Sequence, residues 1–229
     1  MARRGGDAAE SEELRRITVA LETLKDRCPR LRRACYWAGT SCMAAEELHH
    51  RGSFDLDFHT RRAMVDTRPL LAELQGAFGE GFELVQAPDE FGSGFRGILT
   101  LASGESIAVE VLSSFQETQP SELVKATLVP AFRRITLRRY VQDKVQCIVE
   151  RAEARDLVDL HATLTLRPEL EAFMRNAVAR QDALLLSERL LTWDDEGIRR
   201  DLASYEDVDP LDACHMRDLL LSWLKEANR

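Results

Sequence analysis

The sequence predicts an α+β protein in which a small mixed sheet with flanking helices is followed by a helical domain. Strand-like runs are confined to the chain before Pro120, whereas helical periodicity dominates beyond it. The last two strand-like runs flank the short connection SGE, which is typical of a hairpin. We therefore predict a sheet domain over residues 1–120 and a helical domain over residues 121–229.

The elements of the sheet domain follow from local patterns. An amphipathic pattern predicts a helix over 11–27, with Pro29 just past its end. A second helical pattern over 61–79 contains Pro69, which should start or kink that helix. Strands are predicted at 54–58, 82–87, 95–102 and 106–113. Beyond Pro120, helices are predicted at 130–152, 155–165, 168–192, 195–204 and 210–227.

The composition indicates a globular protein of the cytoplasm. The chain is 45% hydrophobic, yet no run approaches the ~18 apolar residues that a membrane span needs. The start, MARRGGDAAESEELRR, has no apolar stretch after its arginines, so we expect no signal peptide and no membrane partner. Five cysteines without a CxxC pair fit reduced thiols, and we expect a cytoplasmic location.

The charge distribution leaves one region that could bind phosphate. A net charge of -8 argues at first against a nucleic-acid partner. Within residues 121–144, however, six basic residues face only two acidic ones. They form either a solvated helix face or a phosphate-binding surface. We call these six residues the basic stripe: Lys125, Arg133, Arg134, Arg138, Arg139 and Lys144.

The stretch RGSFDLDFHT places two acids inside an apolar run. In a strand, Asp55 and Asp57 point to one face, whereas Phe54, Leu56 and Phe58 pack on the other. Two carboxylates held this close repel each other unless a cation lies between them. Oxygen ligands select magnesium or manganese. The alternative is a solvent-facing strand with two ordinary aspartates.

Two further residues could complete such a site. If the strand SIAVEVL lies beside that of Asp55, Glu110 can supply a third carboxylate for metal-assisted phosphoryl chemistry. Glu117 and Asp89 remain alternatives for this third ligand. Lys144 falls on the core-facing stripe of its helix, so it must either snorkel to solvent or find an anionic partner such as a triphosphate.

These motifs together resemble one protein family. The run HRGSFDLDF (50–58) resembles the HRxSxDLDF signature of the AbiEii/AbiGii-type nucleotidyltransferase toxins of bacterial type IV toxin–antitoxin and abortive-infection systems. WAGTS (37–41) resembles their GGT segment, with Ala38 in place of the first glycine. DKVQCIVERAEARDLVDL (143–160) is similar to their K…R…RDxxDL motif. The resemblance covers roughly residues 34–165 and implies a nucleotidyltransferase-like sheet.

The resemblance also implies roles for individual residues. Asp55 and Asp57 would bind magnesium, and Ser53 would contact phosphate or orient the strand. A turn would cradle the nucleotide phosphates, formed by Gly39, Thr40 and Ser41.

In the helical domain, the resemblance implies that Lys144 neutralises the triphosphate. Asp159 would contact the nucleotide or assist the accepting hydroxyl. Arg155 and Asp156 are equally consistent with a structural ion-pair network.

The implied function is that of a toxin enzyme. The resemblance implies a Mg²⁺-dependent or Mn²⁺-dependent nucleotidyltransferase that moves a nucleoside monophosphate from a nucleoside triphosphate to an acceptor hydroxyl. RNA, and tRNA in particular, is the expected acceptor, and a cognate antitoxin is an expected partner. Two alternatives remain open, namely transfer to a protein or small molecule, and a catalytically silent nucleotide-binding or interaction protein.

Overall fold

The structure, a computed structural model, describes residues 6–53, 55–151, 153–205 and 207–227, with side chains from residue 12 onward. The chain divides into two compact units, Met1–Thr136 and Leu137–Arg229, here called the sheet unit and the helical unit. This organisation confirms the predicted α+β fold class. The division lies beyond the expected boundary after residue 120, because two short strands that follow Pro120 belong to the sheet.

The sheet unit contains a seven-stranded mixed sheet with the order β3-β4-β5-β2-β1-β7-β6. Strand β2 lies in the middle, where it pairs antiparallel with β1 and parallel with β5. The antiparallel pairing of β4 and β5 confirms the predicted hairpin. The strands are β1 Cys35–Ala38, β2 Asp55–Ala63, β3 Phe82–Gln86, β4 Gly94–Thr100, β5 Ser106–Ser114, β6 Leu123–Lys125 and β7 Arg133–Ile135.

The helices of the sheet unit differ from prediction mainly around Pro69. Pro69 lies in the first turn of its helix, so it starts the helix rather than kinking it. Residues 61–63 are not helical, because β2 runs on to Ala63. The helices are α1 Gly6–Arg27, α2 Pro29–Ala34, α3 Gly39–Met43, a π-helical continuation Ala44–Leu48, α4 Arg68–Phe78, and the 3₁₀ turns Gly79–Gly81 and Pro120–Glu122.

The core of the sheet explains which strands the sequence could reveal. Leu56 and Phe58 of β2 are fully buried, as the alternating pattern predicts, and Phe58 packs against Phe132. Phe54, expected on the same face, lies outside the described residues. Strand β1 was not predicted, because all four of its residues are buried and no alternation marks it. Strands β6 and β7 have only three residues each.

The helical unit begins with α5, which starts at Leu137 because residues 133–135 form β7. The predicted helix over 168–192 is broken into three pieces, and the Asp182 side chain caps the last of them. No described helix is long and apolar enough to cross a membrane. The helices are α5 Leu137–Glu150, α6 Ala154–Leu166, a 3₁₀ turn Pro168–Leu170, α7 Glu171–Ala179, α8 Ala183–Leu191, α9 Asp195–Asp201 and α10 Pro210–Ala227.

All five cysteines are free, and four of them are buried. Burial raises the pKa of Cys28 and Cys35 to about 12, and that of the half-buried Cys147 to about 11. Because only the thiolate attacks a disulfide reagent, the native protein at pH 8 should react slowly, with about one Cys147 in a thousand ionised.

Ellman's reagent measures this directly. We expect five thiols to react rapidly after unfolding, and the reaction of native protein to accelerate as the pH rises toward 11. Rapid reaction of any thiol in the native protein at pH 8 would contradict the burial described above.

Candidate active site

A glycine turn connects β1 to α3 at one end of the sheet. Gly39 has a φ of +76°, a conformation that L side chains rarely adopt. A Cβ atom at this position would also overlap Oδ2 of Asp57. Ala38, at the position of the first glycine in the GGT segment that WAGTS resembles, has φ -123° and ψ -167°, a conformation open to any residue. The backbone of Gly39 therefore lies directly against the Asp57 carboxylate, and Ala38 fits without strain.

Three carboxylates share one face of the sheet beside this turn. Asp57 is the register partner of Ala38 on β1 and of Glu110 on β5. Asp55 lies two residues before Asp57 and therefore points to the same face. All three acids are half-buried. Strand β5 thus lies beside β2, as the prediction of Glu110 as the third carboxylate required.

The alternative ligand Asp89 has a different structural role. Its carboxylate accepts hydrogen bonds from the backbone N–H of Phe91 and from both the N–H and the hydroxyl of Ser93. The hydroxyl of Ser93, followed by its N–H, holds the pKa of Asp89 below its ordinary value. Asp89 therefore organises its own loop between β3 and β4.

The segment that leads into β2 is fixed from two sides. The Ser53 hydroxyl donates a hydrogen bond of 3.0 Å to Oδ1 of Asp55. The backbone N–H of Ser53 donates to Oε1 of Glu13 on α1, at 2.6 Å. The Ser53 hydroxyl therefore contacts the Asp55 carboxylate, a geometry that fits the expected role of orienting the strand. Glu13 was not among the predicted site residues, because its contact with Ser53 bridges distant parts of the sequence.

The hydroxyl groups of the glycine turn are held from the protein interior. Buried Arg51 donates from Nη2 to the Thr40 hydroxyl at 3.1 Å. The Trp37 indole donates to the Ser41 hydroxyl at 3.3 Å, and Ser41 is fully buried. A phosphate at this turn would therefore meet backbone N–H groups rather than the Ser41 side chain. Arg51 belongs to the HRGSFDLDF motif, but the sequence does not predict its contact with Thr40.

In the helical unit, Lys144 lies in a buried ion-pair cluster. Its Nζ atom is 2.7 Å from Oδ1 of Asp156 and 2.7 Å from Oδ2 of Asp159, and both acids are fully buried. Arg151 also contacts Asp156, at 2.9 Å. The anionic partners that Lys144 requires are therefore supplied by the chain itself, and its side chain does not snorkel to solvent. Asp156 and Arg155 both belong to this ion-pair network, since Arg155 pairs with Glu153, which also pairs with Arg151.

The neighbouring charges decide the protonation state of Lys144. Burial alone would lower the pKa of Lys144, but the negative charge of Asp159, followed by Tyr140 and Asp156, outweighs it and raises the pKa. Lys144 therefore remains a cation throughout the physiological pH range.

Known structures resemble this chain over nearly its whole length, although no protein-family model and no curated protein matches its sequence. JHP933 from Helicobacter pylori is 19% identical, with 96% of this chain and 94% of that chain covered and a TM-score of 0.55. A candidate nucleotidyltransferase from H. pylori is 19% identical, with 96% and 97% covered and a TM-score of 0.54. MenT4, a nucleotidyltransferase toxin from Mycobacterium tuberculosis H37Rv, is 18% identical, with 95% and 86% covered and a TM-score of 0.55. The chain has a nucleotidyltransferase fold.

Within this nucleotidyltransferase fold, the basic stripe is not a single surface. Arg134 is buried, with Nε 2.7 Å from Oε2 of Glu46 and Nη1 2.8 Å from Oε1 of Glu47. Arg139 pairs with Asp143 on its own helix at 2.6 Å. Neither alternative, a solvated helix face or a phosphate-binding surface, therefore holds for Arg134, which pairs with acids inside the sheet unit.

Substitution of Gly39 tests the close contact between the turn and the carboxylate in the nucleotidyltransferase fold. Gly39→Ala should destabilise the protein by at least about 1–2 kcal/mol, because the left-handed conformation is unfavourable for alanine and the Cβ displaces Asp57. Urea unfolding measures the change. In Gly76→Ala, a matched control inside α4, the Cβ meets no atom, so stability should hold or rise. Equal destabilisation of both variants would contradict the described turn.

Proposed function

We propose that this chain is a metal-dependent nucleotidyltransferase toxin that transfers a nucleoside monophosphate from a nucleoside triphosphate to RNA, with a tRNA end as the leading acceptor. The observation that carries the proposal is the presence of three carboxylates on one sheet face beside the glycine turn. The nucleotidyltransferase fold supports the same conclusion.

The donor atoms of this face fit a hard divalent cation. Asp55, Asp57 and Glu110 offer only carboxylate oxygens, which suit Mg²⁺ or Mn²⁺ better than zinc. We assign these three residues as the metal ligands. When bound, the metal supplies positive charge to the triphosphate during phosphoryl transfer.

The protein's own groups then position the reactants. The acceptor hydroxyl oxygen forms a bond to the α-phosphorus, the bond from that phosphorus to pyrophosphate breaks, and the hydroxyl proton is released. The backbone of Gly39 and Thr40 would hold the phosphates next to Asp57, and Ser53 keeps Asp55 in place. Most of the catalytic effect would therefore come from positioning and charge.

Lys144 and Asp159 enter the proposal as a pair. The resemblance assigns Lys144 to neutralising the triphosphate and Asp159 to contacting the nucleotide. In the structure the Lys144 ammonium group is buried and lies 2.7 Å from both Asp156 and Asp159, so the direct effect of these ion pairs is to hold α5 against α6. The raised pKa of Lys144 keeps the required charge in place.

An RNA acceptor is supported by an arginine cluster in the sheet unit, formed by Arg61 and Arg133. Arg61 donates to the backbone oxygens of Cys35 and Arg32, and among the described residues neither Arg61 nor Arg133 pairs with a carboxylate. Burial, followed by the charge of Arg133, lowers the pKa of Arg61. Positive charges held together without acids favour a phosphate backbone as partner.

An RNA-modifying toxin needs a means of restraint and access to its substrate. We therefore propose a cognate antitoxin as a protein partner and the cytoplasm as the site of action. The antitoxin partner and the cytoplasmic location both rest on the proposed function, and evidence against that function would remove the basis for both.

The proposal is tested by incubating the purified chain with labelled nucleoside triphosphates, Mg²⁺ and total cellular RNA. RNA should become labelled, and no labelling should occur when EDTA is present from the start. Label in protein or in small molecules would overturn the RNA acceptor. The absence of label with every nucleotide, under conditions where the protein is folded, would overturn the enzymatic function.

Charge reversal tests the RNA-binding surface separately. Arg61→Glu combined with Arg133→Glu should flatten the salt dependence of RNA binding, by about 0.7 to 0.9 in log–log slope for each phosphate that the variant no longer neutralises. Arg199→Glu combined with Arg200→Glu, two exposed arginines of α9, is the control with the same change in net charge. Equal effects of the two double variants on the slope would exclude the arginine cluster as the binding surface.

A further inference from the structure

A second group of potential metal ligands lies in the helical unit, where α6 packs against α10. His161 of α6 and Asp212 and His215 of α10 each direct one ligand atom toward the others. These three atoms lie within 4.8 Å of one another. His161 and Asp212 are half-buried, whereas His215 is exposed.

The helical spacing explains how α10 contributes two of the ligands. Asp212 and His215 are three residues apart, so their side chains lie on the same face of the helix. An acid and a histidine with this spacing recur where metal sites are built between the helices of a bundle. His161 approaches the pair from the neighbouring helix.

The distance between two of the ligand atoms fits a shared metal ion better than a short hydrogen bond. Nδ1 of His161 lies 3.4 Å from Oδ1 of Asp212, which is longer than the usual range of about 2.7–3.2 Å for an N–H···O hydrogen bond. Two ligands at about 2.0–2.1 Å from one tetrahedral ion are about 3.3 Å apart. The two imidazole rings are tilted by 47° with centroids 6.4 Å apart, so they do not stack face to face.

We propose that His161, Asp212 and His215 form a binding site for a zinc-type divalent ion, independent of the carboxylate face of the sheet unit. Two imidazole nitrogens and one carboxylate oxygen suit zinc or its neighbours in the first transition row, whereas Mg²⁺ prefers oxygen ligands only. Three protein ligands leave one tetrahedral position for water. The ion would link α6 to α10 and stabilise the helical unit.

Titration of the EDTA-treated full-length chain with Zn²⁺ tests the site. One equivalent should bind and should raise the melting temperature, because the ion binds only the folded state. His215→Ala, at an exposed position, should keep the fold and weaken zinc binding at least about tenfold, and His161→Ala should do the same. Asp218→Asn, an exposed acid elsewhere on α10, should bind zinc like the wild type.

Cobalt substitution identifies the ligand type, because cysteine ligation adds an intense thiolate-to-metal absorption that nitrogen and oxygen ligands lack. The bound Co²⁺ should show no such band, and its spectrum should be lost in His215→Ala. No zinc binding by the wild type, equal affinity in His215→Ala, or a thiolate band would each overturn the proposal. None of these results depends on nucleotidyltransferase activity.

Discussion

Asp57→Asn should lower nucleotide transfer by at least about 1,000-fold while the protein stays folded. In the proposed mechanism a bound metal ion would contribute several kcal/mol of transition-state stabilisation, and each 1.36 kcal/mol corresponds to about tenfold in rate. The variant keeps the shape of the side chain against Gly39 but removes the charge that faces Glu110. Because repulsion between carboxylates falls, the melting temperature without metal should hold or rise.

Label incorporation from a nucleoside triphosphate and thermal melting measure the two effects. Asp26→Asn, a highly exposed acid of the same unit, is the control and should change neither. Undiminished transfer by a folded Asp57→Asn protein would remove Asp57 from the catalytic site. Loss of transfer together with a lower melting temperature would indicate a structural role instead.

Lys144→Met should lower the free energy of unfolding by about 3–5 kcal/mol. Methionine replaces the aliphatic stem, but Asp156 and Asp159 are then left without their shared cation inside the helical unit. Breaking a buried ion pair by removing one partner has a cost of this size. Urea unfolding followed by circular dichroism measures the change.

Two matched variants separate charge from packing. Lys225→Met, at an exposed lysine of α10, should have little effect. Lys144→Met combined with Asp159→Leu should recover part of the lost stability, because one buried charge is removed along with its partner. A urea midpoint for Lys144→Met equal to that of the wild type would show that the ion pairs contribute nothing to stability.

The pH dependence of the Lys144 contribution follows from its raised pKa. Because the pKa of Lys144 is higher in the folded protein, its contribution to stability is fully present below the unfolded-state pKa of about 10.4. The contribution is lost only as the pH rises through the folded-state pKa. The stability difference between the wild type and Lys144→Met should therefore persist through neutral and mildly alkaline pH. A difference that vanished near neutrality would contradict the assigned charge state.

Periodicity made β2 and β5 predictable, and with them the shared face of Asp55 and Asp57. It could not reveal β1, because a strand buried along its whole length shows no alternation. Lys144 illustrates a partial success. Its position on a core-facing stripe predicts that an anion is needed, but the pattern does not distinguish a bound triphosphate from Asp156 and Asp159.

The site contacts that could not be predicted from the sequence join distant parts of the chain. Arg51 reaches back to Thr40, and Glu13 reaches forward to Ser53. Neither contact has a helical or strand period that would mark it. The burial of Arg134 likewise depends on Glu46 and Glu47, whose positions follow only from the folded sheet unit.

The parallel pairing of β2 with β5 has a consequence for the timing of folding. Asp57 lies on β2 and Glu110 on β5, and β3 and β4 separate these two strands in the sequence. The two acids become neighbours only after β2 and β5 have paired. Such long-range pairing is slow, since the entropy of closing the intervening loop is lost before the contacts form. A chain emerging from the ribosome therefore lacks an assembled carboxylate face until β5 has been synthesised and has joined the sheet.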